Sequence, residues 1–128
     1  MTLSHVLIVA AGGALGTVCR HLVGSAGLRM LGPGFPWWTL AVNVVGSTAI
    51  GLVAGWLAHR IDAIGMNARL FLTTGFLGGF TTFSAFSLDT LTLWERGQTS
   101  LAATYVATSL ALSLGGTVAG LAIARAAL

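Results

Sequence analysis

Four stretches of this chain each run for about the twenty residues that a membrane-crossing helix needs, almost without charge. They lie near Leu3 to Ser25, Trp37 to His59, Arg69 to Trp94 and Thr99 to Ala124, separated by short connections that carry charges or Pro and Gly. In hydrocarbon an open segment must satisfy its own backbone, which a helix does and a lone strand does not. The reading is therefore an all-α membrane protein, a single four-helix transmembrane domain over residues 1–128. Charge agrees with it: 7% of the residues are charged, against about 25% in a soluble domain. The first stretch lacks a basic start and runs into Cys19-Arg20-His21 instead of a small-residue cleavage site, so it reads as a helix and not as a signal peptide.

The net charge of +3 comes from arginines scattered at or near helix ends. No basic patch results that could follow a phosphate backbone, and nucleic acid is not an expected partner. Cys19 has no second thiol to pair with and reads as a packing residue. His5, His21 and His59 lie near helix ends and read as interfacial. No Ser/His pair or metal-ligand constellation emerges, so an enzyme is not expected.

Four spans put both termini on one side of the membrane. That side carries Arg60, Arg69 and Arg125, and the other carries Arg29, Arg96 and, at the deep end of the first span, Arg20. Since arginine and lysine bias sets orientation, a tie gives no strong reason to insert one way. Both orientations are then open, and two copies related by an axis in the membrane plane would form an inverted pair from separate chains. A simpler alternative, that so few charges misreport topology, stands beside it.

Polar residues follow helical spacing inside this apolar frame. Tyr105, Ser109, Ser113 and Thr117 recur every four residues on the last span, and Thr39, Asn43 and Ser47 do the same on the second. Single hydroxyls in membrane helices usually bond back to a carbonyl one turn earlier, but that explains a whole row less well. The three acids, Asp62, Asp89 and Glu95, stand at or near connections, so neither row holds a carboxylate at mid-membrane. Neutral hydroxyl and amide donors suit an anion that must shed its water. Arg20 adds positive charge near one mouth, or anchors its helix end by snorkelling.

The third span holds Gly-Phe-Leu-Gly-Gly-Phe-Thr-Thr-Phe-Ser-Ala-Phe-Ser-Leu-Asp from Gly75 to Asp89. Gly78-Gly79 points to a break near the middle of this helix, turning the Gly78 and Thr81 carbonyls away from their helical partners. A second, antiparallel copy crossing there would complete a four-oxygen site for a hard monovalent cation such as Na+. Alternatively the glycines simply admit another helix closely. Phe83 and Phe86 share a face beyond the break, and the electropositive edges of phenyl rings can line an anion path without trapping the ion.

The segment Gly-Gly-Phe-Thr-Thr-Phe-Ser-Ala-Phe-Ser resembles the signature of the small microbial fluoride channels, the Fluc or CrcB family. Asn43, Arg20 and the Tyr105, Ser109, Ser113, Thr117 row match that family's pattern across the whole chain. The resemblance implies a dual-topology, antiparallel homodimer in the cell (inner) membrane, conducting fluoride passively out of the cytoplasm. It implies a fluoride pathway of Asn43, Phe83, Phe86, Tyr105, Ser109, Ser113, Thr117 and Arg20, and a structural Na+ on the Gly78 and Thr81 carbonyls. The sequence departs from the pattern at Asp89, where Glu is frequent, and at Phe80 and Ala85, where Leu and Thr are more usual. A small four-helix multidrug exporter is the nearest rival, but the first span has no glutamate. A non-transporting assembly subunit is another, its polar rows serving as interhelical glue.

Overall fold

The computed structural model describes residues 1–127, apart from the side chains of residues 59 and 61–64. The interfacial position expected for the His59 side chain, and the place of the Asp62 carboxylate, lie outside the described residues. Among the described residues, four helices are long and apolar enough to cross a membrane: α1 (Leu3–Leu31), α2 (Trp37–Ala58), α3 (Gly65–Glu95) and α4 (Thr99–Ala126). The large apolar side chains they turn outward, among them Leu22, Leu28, Leu88, Leu114 and Val118, fit a lipid surround. This is a multi-pass membrane protein.

At its start α1 is capped by Thr2, whose hydroxyl accepts from the His5 amide at 3.3 Å. It continues past Ser25, where the sequence suggested an end, because nothing before Gly32 interrupts it. Gly32 has φ +74°, which glycine adopts without strain, and Pro33 follows. Helical winding runs on from Trp37 to Leu70, but non-helical backbone at Arg60 (φ −137°) and Gly65 (φ 78°) separates α2 from α3.

The third helix winds in three ways. It is π-helical over Phe71–Leu77 and α-helical over Gly78–Phe80. It then opens at Thr81 (φ −84°, ψ 157°) and Thr82 (φ −153°, ψ 117°) before resuming over Phe83–Glu95. The break therefore falls after the glycines, not on them: Gly78 is helical at φ −62°, ψ −36°. A Cβ on Gly79 would stand 2.5 Å from the Gly13 carbonyl oxygen of α1, so at this position glycine serves close packing. The opening belongs to two β-branched residues, and the Thr82 hydroxyl restarts the helix by accepting from the Ala85 amide at 3.2 Å.

Small residues set the remaining contacts. A Cβ on Gly51 of α2 would run into the Thr117 carbonyl of α4, and one on Gly120 into the Thr48 carbonyl. Between α1 and α3, a Cβ on Gly16 would enter the Phe76 carbonyl. Tyr105 is fully buried against Phe86, Leu93 and Ala102, and Phe35 from the α1–α2 connection packs onto that cluster.

Candidate functional site

The break in α3 faces α2 and α4 across a chamber of about 220 Å³. Asn43 and Ser47 line it from α2, Thr81, Thr82, Phe83 and Phe86 from α3, and Ser109 and Ser113 from α4. The four-residue spacing of Asn43 and Ser47, and of Ser109 and Ser113, puts each pair on one face of its helix, and the break turns the two phenyl rings toward them. Five of the residues expected on an anion path thus meet in one space: Asn43, Phe83, Phe86, Ser109 and Ser113.

Asn43 holds the broken strand of α3 through both ends of its amide. Its Nδ2 donates to the Thr82 carbonyl at 3.0 Å, and its Oδ1 accepts from the Thr82 amide at 2.8 Å. One N–H of the Asn43 side chain remains for another acceptor. Ser109 is 5% exposed, and its hydroxyl has no hydrogen-bond partner among the described residues. A buried, unpaired hydroxyl is unfavourable by about 1–3 kcal/mol, so this one calls for an acceptor or donor that enters the chamber.

The phenyl rings form a short ladder. Phe83 and Phe86 have centroids 5.5 Å apart and planes inclined at 58°. Phe86 lies 5.2 Å from Tyr105, which Phe35 meets edge-on at 5.5 Å. Phe86 is buried, whereas Phe83 is 75% exposed on this single chain. The Tyr105 hydroxyl donates to Asp89 Oδ2 at 3.1 Å.

Three expected path residues do not line the chamber: Tyr105 is fully buried behind Phe86, and Thr117 and Arg20 lie elsewhere. Thr117 donates to the carbonyls of Ser47 (3.0 Å) and Ser113 (3.2 Å), which commits its hydroxyl to joining α4 to α2. Arg20 borders a separate cavity of about 520 Å³ between α1 and α2, shared with His21, Ser25 and Thr39. There its Nε donates to the Gly79 carbonyl at 3.1 Å. Thr82 borders both cavities and forms part of the wall between them.

Carbonyls at the break are left without their regular partners. The amides that would close helical bonds onto Gly78 and Thr81 are those of Thr82 and Ala85. These donate instead to Asn43 Oδ1 and to the Thr82 hydroxyl. Gly78 and Thr81 border a cavity of about 210 Å³ with Gly46, Ser47 and Thr73. Among the described residues no group of His, Cys, Asp or Glu that could hold a metal ion is found.

Sequence reasoning missed the central place of Thr82 and the tie from Asp89 to the hydroxyl row. A signal for Thr82 was present: an asparagine amide in hydrocarbon needs two-sided pairing, and an open peptide unit supplies it. For Asp89 the sixteen-residue separation from Tyr105 crosses a helix connection and leaves no local pattern.

Residues 7–121 match the model of a family described as CrcB-like protein, Camphor Resistance (CrcB). A protein of Rhizobium etli (strain CIAT 652) is 55% identical over 119 residues, covering 93% of this chain and 94% of its own length. One of Agrobacterium fabrum is 53% identical over 121 residues, covering 94% and 96%. One of Cereibacter sphaeroides (strain ATCC 17029) is 53% identical over 123 residues, covering 96% of each. All three are named fluoride-specific ion channel FluC, a non-enzymatic function.

Proposed function

The chain belongs to the CrcB family, and on that premise we propose that it is a fluoride-selective channel through which cytoplasmic fluoride leaves the cell passively across the inner membrane. The observation that carries this reading is the unpaired Ser109 hydroxyl, buried in a chamber whose other walls are phenyl rings, a half-committed asparagine amide and further hydroxyls. A small, strongly hydrated anion entering it exchanges water for the Ser109 hydroxyl, the remaining Asn43 N–H and the electropositive edges of Phe83 and Phe86. None of these groups carries a full charge, so the ion is stabilised without being trapped, as conduction demands. The Tyr105–Asp89 pair lies beyond Phe86 and continues the polar line toward one mouth.

The working unit in this reading is an antiparallel homodimer of dual topology. Two features support it. Phe83 projects from the single chain as a largely exposed ring beside the chamber, and a second copy supplies the wall that would cover it. The arginine tie between the two sides of the membrane permits both orientations. At the dimer centre the carbonyls of Gly78 and Thr81, deprived of their helical donors, suit a structural Na+ shared with the same pair from the other copy. Bound there, the ion would compensate the partial negative charge of carbonyls that no amide satisfies. The Asn43 side-chain oxygen and the Thr82 hydroxyl take the two amides that would otherwise close onto those carbonyls.

Fluoride efflux from liposomes holding only this protein, measured beside chloride efflux, tests the reading. Rapid loss of fluoride with chloride retained is expected. Equal loss of both ions, or retention of both, would remove it.

A further inference from the structure

The opening of α3 strands the carbonyls of its last regular turn, and the surrounding side chains do not treat them alike. Helical geometry would return bonds to Gly78, Gly79 and Thr81 from the amides of Thr82, Phe83 and Ala85, on the far side of the break. The Gly79 oxygen, which sits between the other two in sequence, is taken by α1. Arg20 Nε donates to it at 3.1 Å, and Thr17 Oγ1, one turn earlier on the same helix, approaches it at 3.5 Å.

The reach of Arg20 is fixed by backbone contact. A Cβ on Gly79 would stand 2.5 Å from the Gly13 oxygen and one on Gly16 would enter the Phe76 carbonyl, so α1 and α3 touch main chain to main chain just below the arginine. A cation at the end of a helical turn also meets the negative pole of that turn. Arginine brings a planar Nε donor in a set direction, which lysine lacks despite its equal charge. Arg20 does not border the phenyl-lined chamber.

We infer that Arg20 is a positioning residue for the cation site. By holding the Gly79 oxygen toward α1, it fixes the peptide planes on either side and thereby the direction in which the Gly78 and Thr81 carbonyls are presented. Thr17 assists at the same oxygen. This inference rests on the Na+ reading given above, and it assigns Arg20 to the break instead of to attracting anions at a pore mouth.

The test is the thermal melting temperature of the purified full-length protein in detergent, titrated with NaCl against choline chloride at constant ionic strength. Wild type, Arg20→Lys, Arg20→Gln and Thr17→Val are compared, with fluoride efflux recorded for each. A wild-type melting temperature that rises with Na+ is expected. Both Arg20 variants should then need about tenfold more Na+ for the half-maximal rise, and Thr17→Val a smaller increase in the same direction. Wild-type midpoints in Arg20→Lys and Arg20→Gln, with flux lost only in Arg20→Gln and most at low ionic strength, would overturn the inference in favour of a charge acting on anions. A wild-type protein whose melting ignores Na+ would overturn the cation reading itself. Should Arg20→Gln fail to fold, Arg20→Lys and Thr17→Val decide between these results.

Discussion

Asn43 and Thr82 are locked together by a pair of opposed hydrogen bonds, 3.0 Å and 2.8 Å long, between one side-chain amide and one peptide unit. The amide therefore does for α3 what an adjacent strand does for a strand. It satisfies both polar groups of a residue that has left the helix. The same bond leaves the Gly78 carbonyl without its helical donor.

Replacing Asn43 with Ala strands both the amide and the carbonyl of Thr82. The protein should lose about 1–3 kcal/mol of stability for each orphaned group that finds no water. Fluoride efflux should fall by at least about tenfold, the kinetic equivalent of about 1.4 kcal/mol. Thermal melting in detergent and liposome efflux check the two parts separately, and an Asn43→Ala variant with wild-type melting would contradict the pairing described here.

Ser109 and Thr117 stand two turns apart on α4 and should respond in opposite ways. Ser109→Ala removes a buried hydroxyl that has no partner, so stability should hold or rise by about 1 kcal/mol. Efflux should nevertheless fall by about tenfold as the chamber loses a donor. Thr117→Val removes a bond to the Ser47 carbonyl, with an expected loss of about 1 kcal/mol and flux within about twofold of wild type. Melting curves and efflux rates on the same two preparations give the comparison.

Phe86→Ala and Phe83→Ile should also separate stability from conduction. Phe86 is buried against Tyr105 and Leu93, and its truncation should cost about 3–5 kcal/mol. Phe83 is exposed on the single chain, so Phe83→Ile should leave the protomer fold intact while efflux drops by about tenfold. Circular dichroism on heating, followed by reconstitution, distinguishes the two outcomes. Unchanged flux in Phe83→Ile would argue against the aromatic path.

Glycines on neighbouring helices make a further contrast. A methyl on Gly51 meets the Thr117 backbone, and Gly51→Ala should be destabilising by about 1–3 kcal/mol through overpacking. Around Gly115 nothing lies within 4 Å of the added carbon, and Gly115→Ala should be neutral or stabilise by up to about 1 kcal/mol. Unfolding midpoints in detergent measure both.

The four spans were legible because hydropathy over twenty residues depends on no partner, and the observed helices differ from the expected ones chiefly at their ends. The extension of α1 to Leu31 was hidden because its last turns are a mixture of apolar residues and one arginine that reads equally as helix or connection. At the site, four-residue spacing disclosed one face on α2 with Asn43 and Ser47 and one on α4 with Ser109 and Ser113, and the three-residue spacing of Phe83 and Phe86 disclosed a third. The position of the break was misplaced by intrinsic preference. Glycine is the weakest helix former in Gly78-Gly79-Phe80-Thr81-Thr82, yet Asn43, 39 residues away, decides which peptide unit leaves the helix. The π-helical winding of Phe71–Leu77 left no mark on the apolar pattern at all, and the commitments of Thr117 and Arg20 are tertiary.

The glycine contacts between α2 and α4 have a mechanical consequence for the chamber that lies beside them. Where two helices meet through Cα and carbonyl atoms, their separation is set by hard contact between main chains, which have no rotamers to change. The distance from Asn43 to Ser109 is then a property of the frame and not of side-chain fluctuation.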